Sequence, residues 1–391
     1  MTEQGVVMAQ SFDDLFNRAT GDLGQRPYAY QRRIAVEGFP DMMGVRLDRA
    51  SLKEWRMGLH QRTAIICTLD MLVSRALMRG YGVPRASYSL DFALVTNGAQ
   101  IVVDEIQLVP QGTATLRQIS AFQQRYGTAE PFGLTVMSAT VDEQILNTVD
   151  RPFDAATAHV VSLAQEDRVG PLRQRLMATR TIRRLPEVAT PRAFAAAVAE
   201  RHVPGSLTLV VVNTVDRAVE LYRELGKIAA DTDLLLIHSR FRGFERAQHM
   251  ARLEALANPS GPGGIVVTTQ AIEAGVDIDA RTLITEAAPW SSIVQRAGRC
   301  NRVGEYAVGQ AVLWWTPPLK PEPYAKEDVE PTVELLDRLE GKALSSEDLG
   351  REGADLAPPD LRLRFLRRRD FDQLFDTTPD LSGSDIDIQP Y

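Results

Sequence analysis

One pattern constrains this chain more than any other, and it occurs twice: short apolar runs of strand length, each followed by residues with helical spacing. In the first half the runs are residues 64–68, 101–103 and 134–137. In the second half they are 207–212, 234–237, 265–268, 283–285 and 311–315. A strand that is apolar along its whole length belongs inside a parallel sheet covered on both faces, and the segments between such strands supply the covering helices. Helices are expected at 69–77, 215–225, 244–257 and 332–339. The expected fold class is α/β, with two parallel-sheet lobes and a short C-terminal extension. Lobe 1 covers residues 1–150, and a connector with an Arg- and Ala-rich helix covers 151–204. Lobe 2 covers 205–316 and the extension 317–391, with Thr316-Pro317-Pro318 marking the last boundary.

Composition sets the outer limits. The chain has 391 residues, 44% hydrophobic and 24% charged, which suits a soluble protein of two or three domains. It holds no apolar run on the order of 18 residues, and its acidic N-terminal stretch lacks the apolar core of a secretory signal. Cys67 and Cys300 stand in unrelated contexts and read as free thiols in a reducing cytoplasm. A net charge of -7 excludes a histone-like polyanion binder but leaves room for a local nucleic-acid groove.

In such sheets ligands sit beyond the carboxyl ends of the strands, so the residues after each apolar run carry the chemistry. Val103 is followed by Asp104 and Glu105. Two adjacent carboxylates at a strand end suit a magnesium ion, held by Asp104, and a polarised water, oriented by Glu105; the same pair also makes an ordinary solvated turn. Ser138-Ala139-Thr140 ends the next run, where the hydroxyls either link a nucleotide site to a neighbouring groove or cap a helix. In lobe 2, Thr269 follows a strand and is suited to a phosphate. Gly275 allows close backbone approach, and Asp277 is suited to a ribose hydroxyl. Arg299 and Arg302, three apart, share a helix face and form a pair able to clamp a γ-phosphate.

Taken in order, Asp104-Glu105-Ile106-Gln107, Ser138-Ala139-Thr140, residues 267–279 and residues 295–302 resemble motifs II, III, V and VI of superfamily 2 helicases. Asn213-Thr214 with Asp216-Arg217 resembles motif IV. His238-Ser239-Arg240-Phe241 with Glu245-Arg246 resembles the motif IVa region of the CRISPR-associated helicases of type I systems, and residues 67–77 resemble their motif Ib. The form of motif II and residues 374–387 resemble the type I-U (I-G) subgroup. The resemblance implies two RecA-like lobes, the first truncated, and an ATP-dependent DNA helicase or translocase of CRISPR interference that uses ATP and Mg2+. Its implied partners are single-stranded DNA, a surveillance complex and a separate nuclease. It makes Asp104, Glu105, Arg299 and Arg302 catalytic, and Gln31, Gln107, Gly275, Asp277 and Gln295 nucleotide contacts. Ser138 and Thr140 couple the sites. Thr68, Arg75, Thr214, Arg240, Arg242 and Thr269 touch the nucleic acid.

The pattern breaks at one point. The family's Gly-rich loop, ending in Gly-Lys-Ser/Thr, cradles the β- and γ-phosphates. Here only Gly226-Lys227 and Gly341-Lys342 pair the first two residues, neither with a following hydroxyl, and only 36 residues separate Gln31 from Thr68. That stretch is too short for the strand, loop, helix, strand and helix expected there and reads as an internal deletion. The sequence also stops, at Tyr391, where family members continue. No histidine precedes an aspartate, so neither a His-Asp nuclease nor a zinc site is expected. Two other readings stay open: a non-catalytic nucleic-acid-binding remnant of such a motor, and a general DEAH-like repair or RNA helicase.

Overall fold

The computed structural model describes residues 45–48, 62–65, 67–138, 143–186, 188–258, 260–273, 277–320, 322–354, 356, 362–376 and 387–391. The chain divides into two compact units, Met1–Leu163 with Asp360–Tyr391, and Ala164–Pro359. The boundary thus falls at residue 163 rather than 150. The segment expected as a C-terminal extension is shared between the units, because apolar residues at each of its ends pack into a different core. No described helix is long and apolar enough to cross a membrane.

Among its described residues the first unit contains two parallel strand pairs. Strand β1 (Val45–Asp48) pairs with β2 (Arg62–Ile65), and β3 (Gln100–Val103) pairs with β4 (Gly133–Val136) in the register Ile101↔Leu134. Helices α1 (Leu69–Ala76), α2 (Tyr88–Thr96), α3 (Pro110–Tyr126) and the short α4 (Glu143–Leu146) accompany them. Their core gathers Leu77, Phe92, Ile101, Val103, Leu116, Ile119, Phe122 and Ile145. Helix α12 (Arg368–Leu374) seals it from the C-terminal segment: the Phe371 ring lies 4.9 Å from Phe122 and 6.1 Å from Phe92. The sequence alone reads as irregular here, since one turn of Phe371 and Leu374 is too short a period to register.

The second unit is built on a seven-stranded sheet of order β11-β5-β10-β9-β6-β8-β7. Its strands are β5 (Arg180–Arg184), β6 (Leu207–Val211), β7 (Leu234–Ile237), β8 (Gly264–Thr268), β9 (Thr282–Glu286), β10 (Val312–Thr316) and β11 (Ala343–Leu344). All pair in parallel except β11, which runs antiparallel to β5. The central strands β6, β8 and β9 are buried at every residue, while the edge strand β7 alternates. That is the signature of a sheet covered on both faces. On one face Leu209, Val211, Leu283, Leu313 and Trp315 meet helices α8 (Gly243–Ala257), α9 (Trp290–Ala297), α10 (Lys326–Arg338) and α11 (Ser346–Glu352). On the other, Val210, Val212, Ile265, Val267 and Ile284 meet α6 (Pro191–Arg201) and α7 (Val215–Ile228).

Strand β5 and helix α5 (Gly170–Met177) lie in the stretch expected as a connector. Arg180-Thr181-Ile182-Arg183-Arg184 has a single strongly apolar residue and does not read as a strand. It folds as one because Arg180, 1% exposed, donates to the Cys300 carbonyl at 3.0 and 3.2 Å and to Ser346 Oγ at 3.1 Å. Those bonds meet the guanidinium's need for acceptors, which burial otherwise leaves unmet; burial also lowers its pKa.

Candidate functional site

The carboxyl ends of β3 and β4 bring three of the expected residues together with Ser138. Glu105 sits in the left-handed region at φ 50° and ψ 53°, which costs a residue with a Cβ roughly 1–2 kcal/mol. Its amide donates to Asp104 Oδ1 at 2.9 Å, and its carboxylate accepts from Gln107 Nε2. Gln107 Oε1 in turn accepts from Ser138 Oγ at 2.6 Å. The strands are tied at the same level, where the Met137 amide donates to the Val103 carbonyl at 2.8 Å and the Ile106 amide to the Met137 carbonyl at 3.3 Å. Asp104 and Glu105 are both exposed. The result is an acidic turn, open to solvent, held by a chain of hydrogen bonds that runs from one strand end to the next. Ser138 therefore bonds across strands. The exposed Asp104 carboxylate, with a second acid beside it, is a donor set that fits a hard divalent cation. Gln31, Thr140 and Gly275 lie outside the described residues.

In the second unit the strand order reverses around β6, which neighbours both β8 and β9. The crevice at such a point is where open α/β sheets take ligands. Six residues from five segments meet there. Arg296, fully buried on α9, pairs with Glu273 at 2.7 Å and donates to Thr285 Oγ1 at 2.9 Å, the Glu286 carbonyl at 3.0 Å and Asn213 Oδ1 at 3.2 Å. Glu286 accepts from the Asn213 amide at 2.8 Å and from Arg217 Nε at 2.6 Å. Two guanidiniums and two carboxylates balance, so the network is buried without net charge. The motif pattern contains Asn213, Arg217, Glu273 and Arg296 without giving them a task, and leaves out Thr285 and Glu286. The available signal was periodicity: Ile293, Arg296 and Ala297 share the buried face of α9.

The expected nucleotide residues of this unit sit at the rim of that network. Arg302 pairs with Asp277 at 2.9 Å, with both side chains partly exposed. Arg299 Nη2 donates to the Glu273 carbonyl at 2.7 Å. Asp279 fixes the turn beneath them by accepting the amides of Arg302 at 2.7 Å and Val303 at 3.0 Å. Burial raises its pKa, and those two amides oppose the rise. Gln295 Oε1 is buried and has no partner among the described residues, the condition in which a polar atom awaits a ligand or water.

The expected nucleic-acid contacts divide. Thr68 is exposed at the start of α1, and Arg240 and Arg242 are exposed beside α8, Arg240 bonded to Asp216 at 2.9 Å. Thr214 caps α7 by accepting the Arg217 amide at 3.3 Å. Two of these residues are buried. Arg75 is 3% exposed, faces Asp91 at 3.4 Å and donates to the Met71 carbonyl at 2.7 Å, so it holds α1 to α2 and presents no charge to a strand. Thr269 is also 3% exposed. His238 stacks on Phe241 at 4.1 Å, and its pKa is lowered by burial and by the nearby Arg240.

Comparison with known proteins gives these residues a context. Residues 204–305 match the family described as "CRISPR-associated nuclease/helicase Cas3, C-terminal". The "CRISPR-associated nuclease/helicase Cas3" of Methanothermobacter thermautotrophicus is 35% identical over 141 residues, 35% of this chain and 16% of that protein. The "CRISPR-associated helicase Cas3" of Thermoproteus tenax is 27% identical over 299 residues, 73% of this chain and 45% of that one. The chain thus spans less than half the length of either relative. Among solved structures, T. fusca Cas3 with AMPPNP superposes with a TM-score of 0.58 at 22% identity, covering 78% of this chain and 39% of that one. A chain of a CRISPR RNA-guided surveillance complex, pre-nicking, superposes at 0.60 and 21% identity, covering 86% and 49%. At such identities the superpositions speak for the fold, that of the Cas3 helicase lobes. Fold, motif order and the match over residues 204–305 all point the same way: the chain is similar to the CRISPR-associated Cas3 helicases over their two-lobed α/β portion.

Proposed function

We propose that this chain is the motor portion of an ATP-dependent DNA translocase of CRISPR interference, weakened in ATP turnover because its phosphate-binding loop is missing. The observation that carries this reading is the Asp104–Glu105–Gln107–Ser138 hydrogen-bonded turn. In it a left-handed Glu105 and an exposed Asp104 are linked to the end of the next strand, an arrangement suited to passing a nucleotide-dependent change to a neighbouring groove. A Mg2+ ion held by Asp104 would neutralise phosphate charge when ATP is bound. Glu105 orients the attacking water, and Gln107 keeps the Glu105 carboxylate in place while reporting to Ser138. Gln295 and Asp277 contact the nucleoside, and Arg299 and Arg302 meet the γ-phosphate. Single-stranded DNA runs past Thr68, Thr214, Arg240 and Arg242, held by its phosphates. The chain acts in the cytoplasm with a guide-RNA surveillance complex and a separate nuclease. Relatives described as Cas3 helicases, and solved structures of T. fusca Cas3 with AMPPNP and with ADP, support the nucleotide part of this reading.

Hydrolysis of radiolabelled ATP with saturating Mg2+ and single-stranded DNA tests it. Turnover is expected well below about 1 s⁻¹, the lower end of ordinary enzyme rates. Faster turnover, abolished by Glu105→Gln, would overturn the weakening and keep the motor. Turnover indifferent to Glu105→Gln would overturn both.

A further inference from the structure

The chain carries a net charge of -7, yet residues 362–369 contain Arg362, Arg364, Arg367, Arg368 and Arg369. In the first unit this segment borders a cavity of about 710 Å³ whose lining includes Gln118, Asp150, Arg364, Arg367, Arg369 and Tyr391. The segment is anchored by its backbone. Gln111 Nε2 donates to the Arg364 carbonyl at 2.7 Å, and the Arg364 amide donates to Gln111 Oε1 at 2.9 Å. The Arg367 amide donates to Asp370 Oδ2 at 3.0 Å, and Leu366 and Phe371 are buried in the core. The arginine side chains are therefore carried on a fixed rail.

The nearby acids are already committed. Asp150 accepts from Gln118, Asp370 from the Arg367 amide and Arg369, and Asp372 from Tyr126 Oη at 3.0 Å. No carboxylate among the described residues lies within ion-pair reach of Arg364 or Arg367. Arg368 donates to Tyr126 Oη at 2.7 Å with its guanidinium 5.4 Å from the Tyr126 ring centroid; that ring is itself exposed, as is Phe375. Guanidinium forks with no carboxylate partner are the chemistry that grips the phosphates of a single strand. Gln118 lies eight residues beyond Pro110 on α3, about 12 Å along the helix at 1.5 Å per residue, so the groove is set back from the strand ends that carry Asp104 and Ser138.

We propose that this groove is an accessory site for the phosphate backbone of a single-stranded nucleic acid. It rests on the reading of the chain as a nucleic-acid handler and uses none of the motif residues. Fluorescence anisotropy of a labelled oligothymidylate against the full chain, read across a salt series, tests it. Arg364→Gln with Arg367→Gln leaves the backbone anchors in place, which circular dichroism verifies. This variant is expected to weaken binding about three- to tenfold and to reduce the salt slope by about 1.4, or about 0.7 for each phosphate that is no longer neutralised. Asp150→Asn is expected to tighten binding. Unchanged affinity and slope in the double variant, with weakening in Arg240→Gln/Arg242→Gln, would overturn the groove and spare the general reading. No binding by the unaltered chain would overturn both. Competition by polyglutamate as strong as by the oligonucleotide would point to an acidic protein ligand and overturn the proposal.

Discussion

Cys300 illustrates how a single atom's surroundings set its chemistry. The side chain is fully buried, its thiol facing the carbonyls of Arg281 at 3.7 Å and Val312 at 3.8 Å, and burial pushes its pKa from 9.0 up to about 12. Below pH 9 both folded and unfolded chains hold the proton, and the thiol contributes nothing to pH dependence. Between pH 9 and 12 the unfolded chain releases it and the folded chain keeps it, so stability falls as pH rises, by about 1.4 kcal/mol per pH unit at the steepest. Urea unfolding across this window should show a smaller decline in Cys300→Ala than in the unaltered chain; parallel curves would show that the thiol ionises as freely folded as unfolded. Residue types were legible in the sequence, but their burial was not. Arg75 and Thr269 have the right chemistry for phosphate at the expected motif positions, and both are turned inward. Ser138, which alone reads equally well as a cap, acquires its meaning only from Gln107 across the strands.

At the level of elements, the Arg296 network fastens the ends of β6, β8 and β9 to helix α9. Removing one partner of a buried ion pair strands the other, which costs about 3–5 kcal/mol, whereas replacing the pair by neutral groups costs less. Arg296→Ala should therefore lower the unfolding free energy of the second unit by about that amount in urea, and Arg296→Met combined with Glu273→Gln should recover part of the loss. Equal stability of Arg296→Ala and the unaltered chain would mean the network adds specificity alone. The strands at the centre of the second sheet were readable within a residue or two, because a continuous apolar run has few other places to go. Strand β5 was not, since its charged residues fold only through partners 120 and 166 residues distant. Helix α10 extends from Lys326, well before the expected start at 332, carrying Pro331 inside it. Pro331 is the sixth helical residue, past the first turn, so it takes away the amide that would donate to the Glu327 carbonyl, and no proline-tolerant start marks this helix in the sequence.

For the molecule as a whole, two α/β units and the order of their motifs were legible, while the allocation of residues 360–391 to the first unit was not. That allocation depends on Leu366, Phe371 and Leu374 finding one apolar surface far away in sequence. The reading of the chain as a nucleotide-driven motor rests on the acidic turn of the first unit, where the exposed Asp104 carboxylate is the proposed Mg2+ ligand. Equilibrium binding of a fluorescent ATP analogue, measured with Mg2+ and again in EDTA, addresses it most directly, using Asp104→Asn. Binding with Mg2+ is expected to weaken at least about threefold in the variant, and binding in EDTA to stay the same. Equal binding by the variant and the unaltered chain with Mg2+ present would contradict the reading.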